Sequence, residues 1–540
     1  MKIRLIEPKP PGPNVYDLSL LPRLGLPLIG GILRQQGHDV RIYCEMLAPV
    51  DWADVEQADL VGLSSTTSTT PAAYKMAARA RLAGIPTVIG GPHVTFLPDE
   101  ALDHCDYVVR GEGQVTILEL VKTLEESKQN RPPTDKLPGI LGLSYRDDQG
   151  HKLHNAPRPR SCQEEFAALP PPDLSLIVGK EKMTVTPVMT QWGCPFNCDF
   201  CSVIRLFGRR VRYRPNEDIL AELENRLTDY VFFYDDNFVV NKKRTKALLR
   251  AIIERRMNMY WTAQMRAEAV YKNKKTGELD HELLQLMKDS GCLAVYCGFE
   301  SVNPATLIAY KKQQTVKHIR DSIRAFHKYG IHIHGMFVLG SDEDDVASIR
   351  HTTDFAIKNK IDTVQFLILT PVVGTDFFDR MEQQGRLLCR SWELYDGHYA
   401  LMRPAKMSAY ALQMEAIRAT ARFYSNWRFT KPLIGQIVRN IPYLLWLALR
   451  EYRFSLQLPR ITLLSLIPHK REQALRLVQE TLSNRSWERL KEIFALPAFR
   501  KYGHDQVKKY LQQDRARAYQ EQLRRICGEA GRLPERAGRS

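Results

Sequence analysis

Residues 183–201, MTVTPVMTQWGCPFNCDFC, run a strand pattern straight into three cysteines, Cys194, Cys198 and Cys201, spaced C-x-x-x-C-x-x-C. Tetrahedral zinc sites usually take four protein ligands, and disulfide frameworks take an even number of thiols. Three closely spaced thiolates at a strand end instead suit an iron-sulfur cubane with one iron left open. Zinc, completed by Cys162, Cys292 or Cys297, is an alternative the spacing leaves open, and three structural thiols are another. Gly193, Pro195 and Asn197 suit a tight exposed turn.

Outward from that loop, apolar runs and helical patterns alternate. YVFFYDDNF (230–238), MYWTAQMRAE (259–268), LAVYCGFES (293–301), HIHGMFVLGSDED (332–344) and DTVQFLILTPVVGT (362–375) read as strands, each of the first four followed by a helix. With the strand before the cysteines this predicts a partial (β/α)6 barrel over 184–400, its polar residues at the carboxyl ends where barrel active sites are built. Upstream, residues 1–125 repeat the alternation with IRLIEP, DVRIYCE, LVGLSST, PTVIGG and YVVRGEG. That predicts an α/β, Rossmann-like doubly wound parallel sheet. Ligands bind outside the carboxyl ends of such sheets, which here carry Ser64, Thr66, Gly90, Gly91, Gly111 and Gly113. Residues 126–183 read as a linker with a small hairpin around Asp148-Gln149-Gly150. Residues 401–540 read as a basic, helical carboxyl-terminal region.

The net charge is +16 over 540 residues, and residues 401–540 alone hold 27 Lys plus Arg against 11 Asp plus Glu, a difference of +16. The first 400 residues are therefore collectively neutral. Ten cysteines without a secretory leader suit a reducing, cytoplasmic setting. No run of about 18 apolar residues predicts a spanning helix. The short glycine stretches lack the spacing of a phosphate loop, which argues against a nucleoside triphosphate site. Nucleic acid is not expected as a partner. His332 and His334 alternate along a strand but lack a third ligand, so satisfied core histidines are the expectation, and Cys292 and Cys297 read as inert buried thiols.

CPFNCDFC, with Phe200 just before the last cysteine, resembles the signature loop of radical S-adenosylmethionine (SAM) enzymes. GGPHVTFLPDEAL followed by DYVVRGEG resembles the cobalamin-binding domain that one branch of that family carries ahead of its barrel. The resemblance implies a 4Fe-4S cluster on Cys194, Cys198 and Cys201 whose open iron binds SAM. One electron then cleaves the sulfonium, and the resulting 5′-deoxyadenosyl radical abstracts hydrogen from an unactivated carbon. It implies an electron donor such as flavodoxin or ferredoxin and a small-molecule substrate, for which the basic carboxyl-terminal region points to a lipid-like compound. Matching strand ends assigns Asp235, Asp236 and Asn237 to the methionine amino group, Gln264 and Arg266 to the third strand end with Arg266 on the carboxylate, Glu300 and Ser301 to the ribose, and Leu367 and the backbone of Phe200 to adenine. The plain alternatives are a helix cap for the aspartates and a buried ion pair for Arg266.

The Asp-x-His-x-x-Gly motif that supplies an axial histidine to cobalt is absent, since the first loop reads PKPPGPNVYDLSLLPRLG. Cobalamin would thus bind without a protein histidine, its tail along the six glycine and hydroxyl positions. The expected activity is cobalamin-dependent methyl transfer. A radical cyclase or carbon-carbon coupling enzyme without cobalamin, and an iron-sulfur sensor, are the alternatives. Within KPLIGQIVRNIPYLLWLALREYRF, residues Ile434, Ile437, Val438, Ile441, Leu444, Leu445 and Leu449 form an apolar face flanked by Arg439, Arg450 and Arg453. Tyr443 and Trp446 suit a lipid interface, and Pro442 divides the stretch. It reads either as a helical subdomain or as a peripheral contact with the inner face of an anionic membrane.

Overall fold

The computed structural model describes residues 1–10, 20–127 and 136–425. Its first sheet contains β1 (Lys2–Glu7), β2 (Asp39–Cys44), β3 (Leu60–Ser64), β4 (Thr87–Gly90), β5 (Tyr107–Val109), β6 (Leu143–Arg146) and β7 (Lys152–His154), in spatial order β2-β1-β3-β4-β5-β6-β7. The first five pair in parallel. These strands are apolar on both faces because both are covered. Ile3, Leu5, Val88 and Val109 pack on helices Gly25–Gln35 and Gly113–Ser127, whereas Ile6, Val61, Ile89 and Val108 pack on helix Thr70–Leu82.

The hairpin read from sequence as part of a linker is instead integral to this sheet, since β6 and β7 extend it antiparallel from β5. The reason is register. Tyr107, Val108 and Val109 present a free ladder edge, and Tyr145, Ser144 and Leu143 pair with it, burying Tyr145 and Leu143 in the first core.

Next in the chain come β8 (Thr186–Val188) and the ribbon strands β9 (Gln191–Trp192) and β10 (Arg212–Tyr213), then β11 (Tyr230–Phe233), β12 (Tyr260–Arg266), a second ribbon of β13 (Tyr271–Asn273) and β14 (Glu278–Leu279), β15 (Cys292–Glu300), β16 (His332–Leu339) and β17 (Thr363–Ile368). The second sheet runs β17-β16-β15-β12-β11-β8, all parallel, with helices crossing between its strands: the expected half barrel. The crossover helices start where short polar side chains satisfy their first amides. Asn241 accepts from Arg244 N, and Thr315 and Asp345 form capping boxes. Both ribbons escape sequence reading because two or three residues carry no period. The first matters most, because it brackets the cysteine loop.

The described chain through Ala419 belongs to one compact unit. Two polar contacts tie its sheets together. Glu112, after β5, pairs with Arg212 of β10 at 2.6 Å with both side chains buried, and accepts from Ser161 Oγ at 2.7 Å. Glu100 accepts from Trp392 Nε1 at 3.0 Å, Tyr74 Oη at 3.1 Å and faces His93 Nε2 at 3.2 Å. Helix Ala409–Tyr424 follows the barrel. The apolar and arginine positions from Ile434 to Arg453 lie outside the described residues. No helix among the described residues is long and apolar enough to cross a membrane.

Burial pushes the Glu112 carboxyl up, but the Arg212 guanidinium and the Ser161 donors outweigh it and hold the group below the usual range. A depressed carboxylate stabilises the fold above its unfolded pKa, and that contribution fades as pH falls through the folded value. Glu112→Gln, which orphans a buried guanidinium, should therefore cost about 3–5 kcal/mol at neutral pH. In urea unfolding, the difference from the parent should shrink below about pH 4; a pH-independent difference would refute the pairing.

Candidate active site

The cysteine loop is held from several sides. The α-carbon of Gly193 (φ 92°) lies so close to Arg210 that a Cβ would sit 2.9 Å from its carbonyl oxygen, so only glycine enters the loop here. Asp199 N donates to the Tyr310 carbonyl at 3.3 Å, the Asp199 carboxylate pairs with Arg380, and Phe200 meets the Tyr310 ring edge-on at 5.0 Å. Cys194, Cys198 and Cys201 are free thiols, Cys198 buried and the others partly so. Burial raises the Cys194 thiol and pushes Cys201 up to about 12, with the Asp236 carboxylate adding to both. Such thiols ionise at neutral pH only when a cationic centre takes up the thiolate.

Among the described residues no three His, Cys, Asp or Glu side chains gather tightly enough around one metal ion. A cubane takes its thiolates on separate irons and does not need that convergence. Cys162, considered above as a fourth zinc ligand, caps helix Gln163–Ala167 with its sulfur accepting from Glu165 N. Cys292 and Cys297 are buried within β15 with their thiols pushed well up by desolvation, as inert thiols should be.

The strand-end residues divide into two groups. Asp236, after β11, is accessible on the wall of a cavity, and desolvation together with the Asp235 charge pushes it up to about 6. Gln264 is half-buried, with its carbonyl accepting from Phe238 N. Leu367 is half-buried and packs on Gly397, where a Cβ would meet its side chain at 3.1 Å.

Of the others, Asp235, Ser301, Glu300 and Arg266 have side chains engaged by the protein, whereas the buried Asn237 Oδ1 has no hydrogen-bond partner among the described residues. Asp235, expected at the methionine amino group, is fully buried and accepts from Thr190 N at 2.7 Å, Thr190 Oγ1 at 2.5 Å and Gln191 N at 3.2 Å; burial still lifts it to about 6. It fixes the start of the cysteine loop. Asn237 is buried, its carbonyl accepting from Gln191 Nε2. Ser301 Oγ accepts from Asn303 N. Glu300, expected at the ribose, pairs with buried Lys312 at 2.7 Å. A register break between Gly298 and Glu300 sets that carboxylate over Gly298, where a Cβ would lie 2.6 Å from Oε1, and Glu300 itself takes φ 61°. A strained non-glycine residue at a strand end marks a functional site or a tightly held one, and here the ion pair holds it. Arg266, expected at the carboxylate, pairs with Glu268 at 2.7 Å. Sequence reading missed Lys312 because nothing in KKQQT distinguishes one lysine from the next.

On the first sheet, Ser64, Thr66, Gly90, Gly91, Gly111 and Gly113 all line one cavity of about 350 Å³, within the range of small-molecule sites. It runs inward as an apolar slot between the sheet and helices Gly25–Gln35 and Gly113–Ser127, past Leu26, Ile29 and Ile117. At its mouth the barrel contributes Gln191, Trp192, Phe207, Tyr234 and Asp236. Gly91 (φ 115°) closes on Ser65, whose carbonyl oxygen would lie 2.3 Å from a Cβ. The slot suits an elongated group with an aromatic end, as a cobalamin tail has. No histidine is among the described residues that line it.

Residues 18–121 match the B12 binding domain and residues 188–356 the Radical SAM superfamily. An uncharacterized methyltransferase of Pyrococcus horikoshii is 32% identical over 448 residues, covering 79% of this chain and 93% of its own. The bacteriochlorophyllide d C-12(1)-methyltransferase of Chlorobaculum tepidum is 26% identical over 443 residues, 80% of this chain and 89% of its own. Among solved structures, the cobalamin-dependent SAM radical enzyme OxsB, with aqua-cobalamin and SAM bound, shares the fold with a TM-score of 0.63 at 15% identity, over 98% of this chain and 84% of that one. The chain belongs to the radical SAM superfamily, in the branch with an amino-terminal B12-binding domain. It is a radical SAM enzyme, and its cofactors are a 4Fe-4S cluster, SAM and cobalamin.

Alanine at Cys194, Cys198 or Cys201 should abolish SAM cleavage, and a triple variant that kept its iron after reconstitution would exclude these ligands. Gly90 lies against Val109 at ordinary contact distance and its φ suits any residue. Gly90→Leu should therefore plug the slot, lowering corrinoid retention at least tenfold in absorption spectra while iron content holds; retained corrinoid would place the cofactor elsewhere.

Proposed function

We propose that the enzyme methylates an unactivated carbon of a hydrophobic small molecule, with Cys194, Cys198 and Cys201 holding the cluster and the slot of the first sheet holding the corrinoid. One observation carries this reading: Gln191 and Trp192, which lead directly into the cysteine loop, line the same cavity as Gly90, Gly91, Gly111 and Gly113, with Asp236 beside them. Cysteine loop and slot thus share a wall. When bound, the cluster supplies the electron for reductive cleavage of SAM, and the corrinoid supplies a methyl group.

The chain's own residues supply position and exclusion of water. Asp235 and Gln191 fix the strand ends around the cysteine loop, Trp192, Phe207 and Tyr234 give the mouth an apolar wall, and Asp236 is the carboxylate within it. The names of the relatives support methyl transfer, and the bacteriochlorophyllide methyltransferase among them supports a large apolar substrate. The arginine-flanked apolar sequence of residues 431–454 supports an anionic membrane as the source of that substrate.

Anaerobically reconstituted protein, given methylcobalamin, dithionite, methyl-labelled SAM and an apolar cell extract, should form 5′-deoxyadenosine and move label into the apolar fraction. Formation of 5′-deoxyadenosine without label transfer by corrinoid-loaded protein would favour a cyclase or coupling enzyme. No turnover of SAM at all would favour a sensor.

A further inference from the structure

We propose that Arg266 tunes the iron-sulfur cluster: its guanidinium donates a hydrogen bond to the sulfur of Cys198 and so stabilises the reduced cluster. The proposal rests on Cys198 being a cluster ligand. Arg266 is the last residue of β12 and is buried. Its Nη1 lies 3.6 Å from Cys198 Sγ, within reach of an N–H···S bond. Nε donates to Glu268 Oε1 at 2.7 Å, and Nη2 donates to the Lys312 carbonyl. The ring of Phe196, inside the cysteine loop between Cys194 and Cys198, stacks on the guanidinium with its centroid 3.8 Å from Cζ.

Edge and face are therefore engaged, and the Nη1 edge faces sulfur. A guanidinium that receives a free carboxylate offers two parallel N–H groups. Here the fork is already divided among Glu268, Lys312 and Cys198, so binding the SAM carboxylate would require breaking buried contacts. The arrangement suits a fixed donor.

Reduction by one electron places added negative charge on the cluster and its thiolates, and hydrogen bonds to the sulfurs together with local charge set the potential. A cationic donor at Cys198 favours the reduced state. Lys312 stands nearby but is held by Glu300, as Arg266 is held by Glu268, so two carboxylates offset two cations. The effect of Arg266 is accordingly directional, and removing Glu268 should unmask it.

The test is a redox titration of the reconstituted protein without SAM, followed by electron paramagnetic resonance of the reduced cluster, with iron content measured first. Arg266→Gln with a full iron complement should lose about tenfold in the stability of the reduced state, a fall of about 59 mV for a one-electron couple. Arg266→Lys should fall less, and Glu268→Gln should shift the potential upward. An unchanged or raised potential in Arg266→Gln would overturn the proposal.

If that variant does not load iron, wild-type protein labelled with ¹⁵N-arginine decides. Pulsed resonance of its reduced cluster should show ¹⁵N coupling, and absence of coupling would overturn the proposal. Wild-type protein that holds no cluster refutes the ligand assignment itself.

Discussion

The Glu112–Arg212 pair is the constraint on which the rest of the site depends. Glu112 stands between two glycines that line the slot, and Arg212 belongs to the ribbon that brackets the cysteine loop. One buried ion pair thus sets the ligand edge of the first sheet against the mouth of the half barrel. A buried pair of this kind contributes little net stability compared with apolar packing, but orphaning either member is costly, which makes it a device for position. Phe166 and Trp192 lie beside the guanidinium, with ring centroids 5.5 and 5.7 Å from Arg212 Cζ, and narrow the space in which it can move.

A second layer of constraint works inside the barrel. Asp235 holds Thr190 and Gln191, Gln191 reaches back to the Asn237 carbonyl, and Asp199 is gripped by Arg380. These contacts order the approach and exit of a loop whose glycine, proline and cysteines have little regular structure of their own. The three thiols therefore need not find each other by chance. Burial raises the Cys194 and Cys201 thiols, so a metal centre that takes up thiolate is the natural partner of the loop.

Much of this was legible in the sequence, and for definable reasons. Parallel strands buried on both faces leave apolar runs such as IRLIE and LVGLS, and glycines at strand ends mark where a ligand meets backbone, so both sheets and the six slot positions could be read directly. The hairpin at Asp148 is legible, but its attachment to β5 is a tertiary choice that no local pattern announces. Polar strand ends were harder. Asp235 and Asp236 are adjacent and chemically identical, yet one is sealed by three donors and the other opens on the cavity. Arg266 and Glu300 lie at the strand ends expected, but Arg266 turns to Glu268 two residues on, in the short helical turn Ala267–Val270, and Lys312, the partner of Glu300, arrives from a loop whose path the sequence does not disclose. Glu112 is partly legible: a charged residue between two glycines at a strand end has no side-chain neighbours in sequence and must find its partner elsewhere.

Cluster and corrinoid that face one shared cavity should interact magnetically. The most direct measurement is the magnetic interaction between the two cofactors in protein loaded with cob(II)alamin and the reduced cluster, read by pulsed electron paramagnetic resonance. Dipolar coupling that perturbs both signals, and that disappears in Gly90→Leu together with the corrinoid, is the predicted result. Two intact, uncoupled signals from fully loaded protein would contradict it.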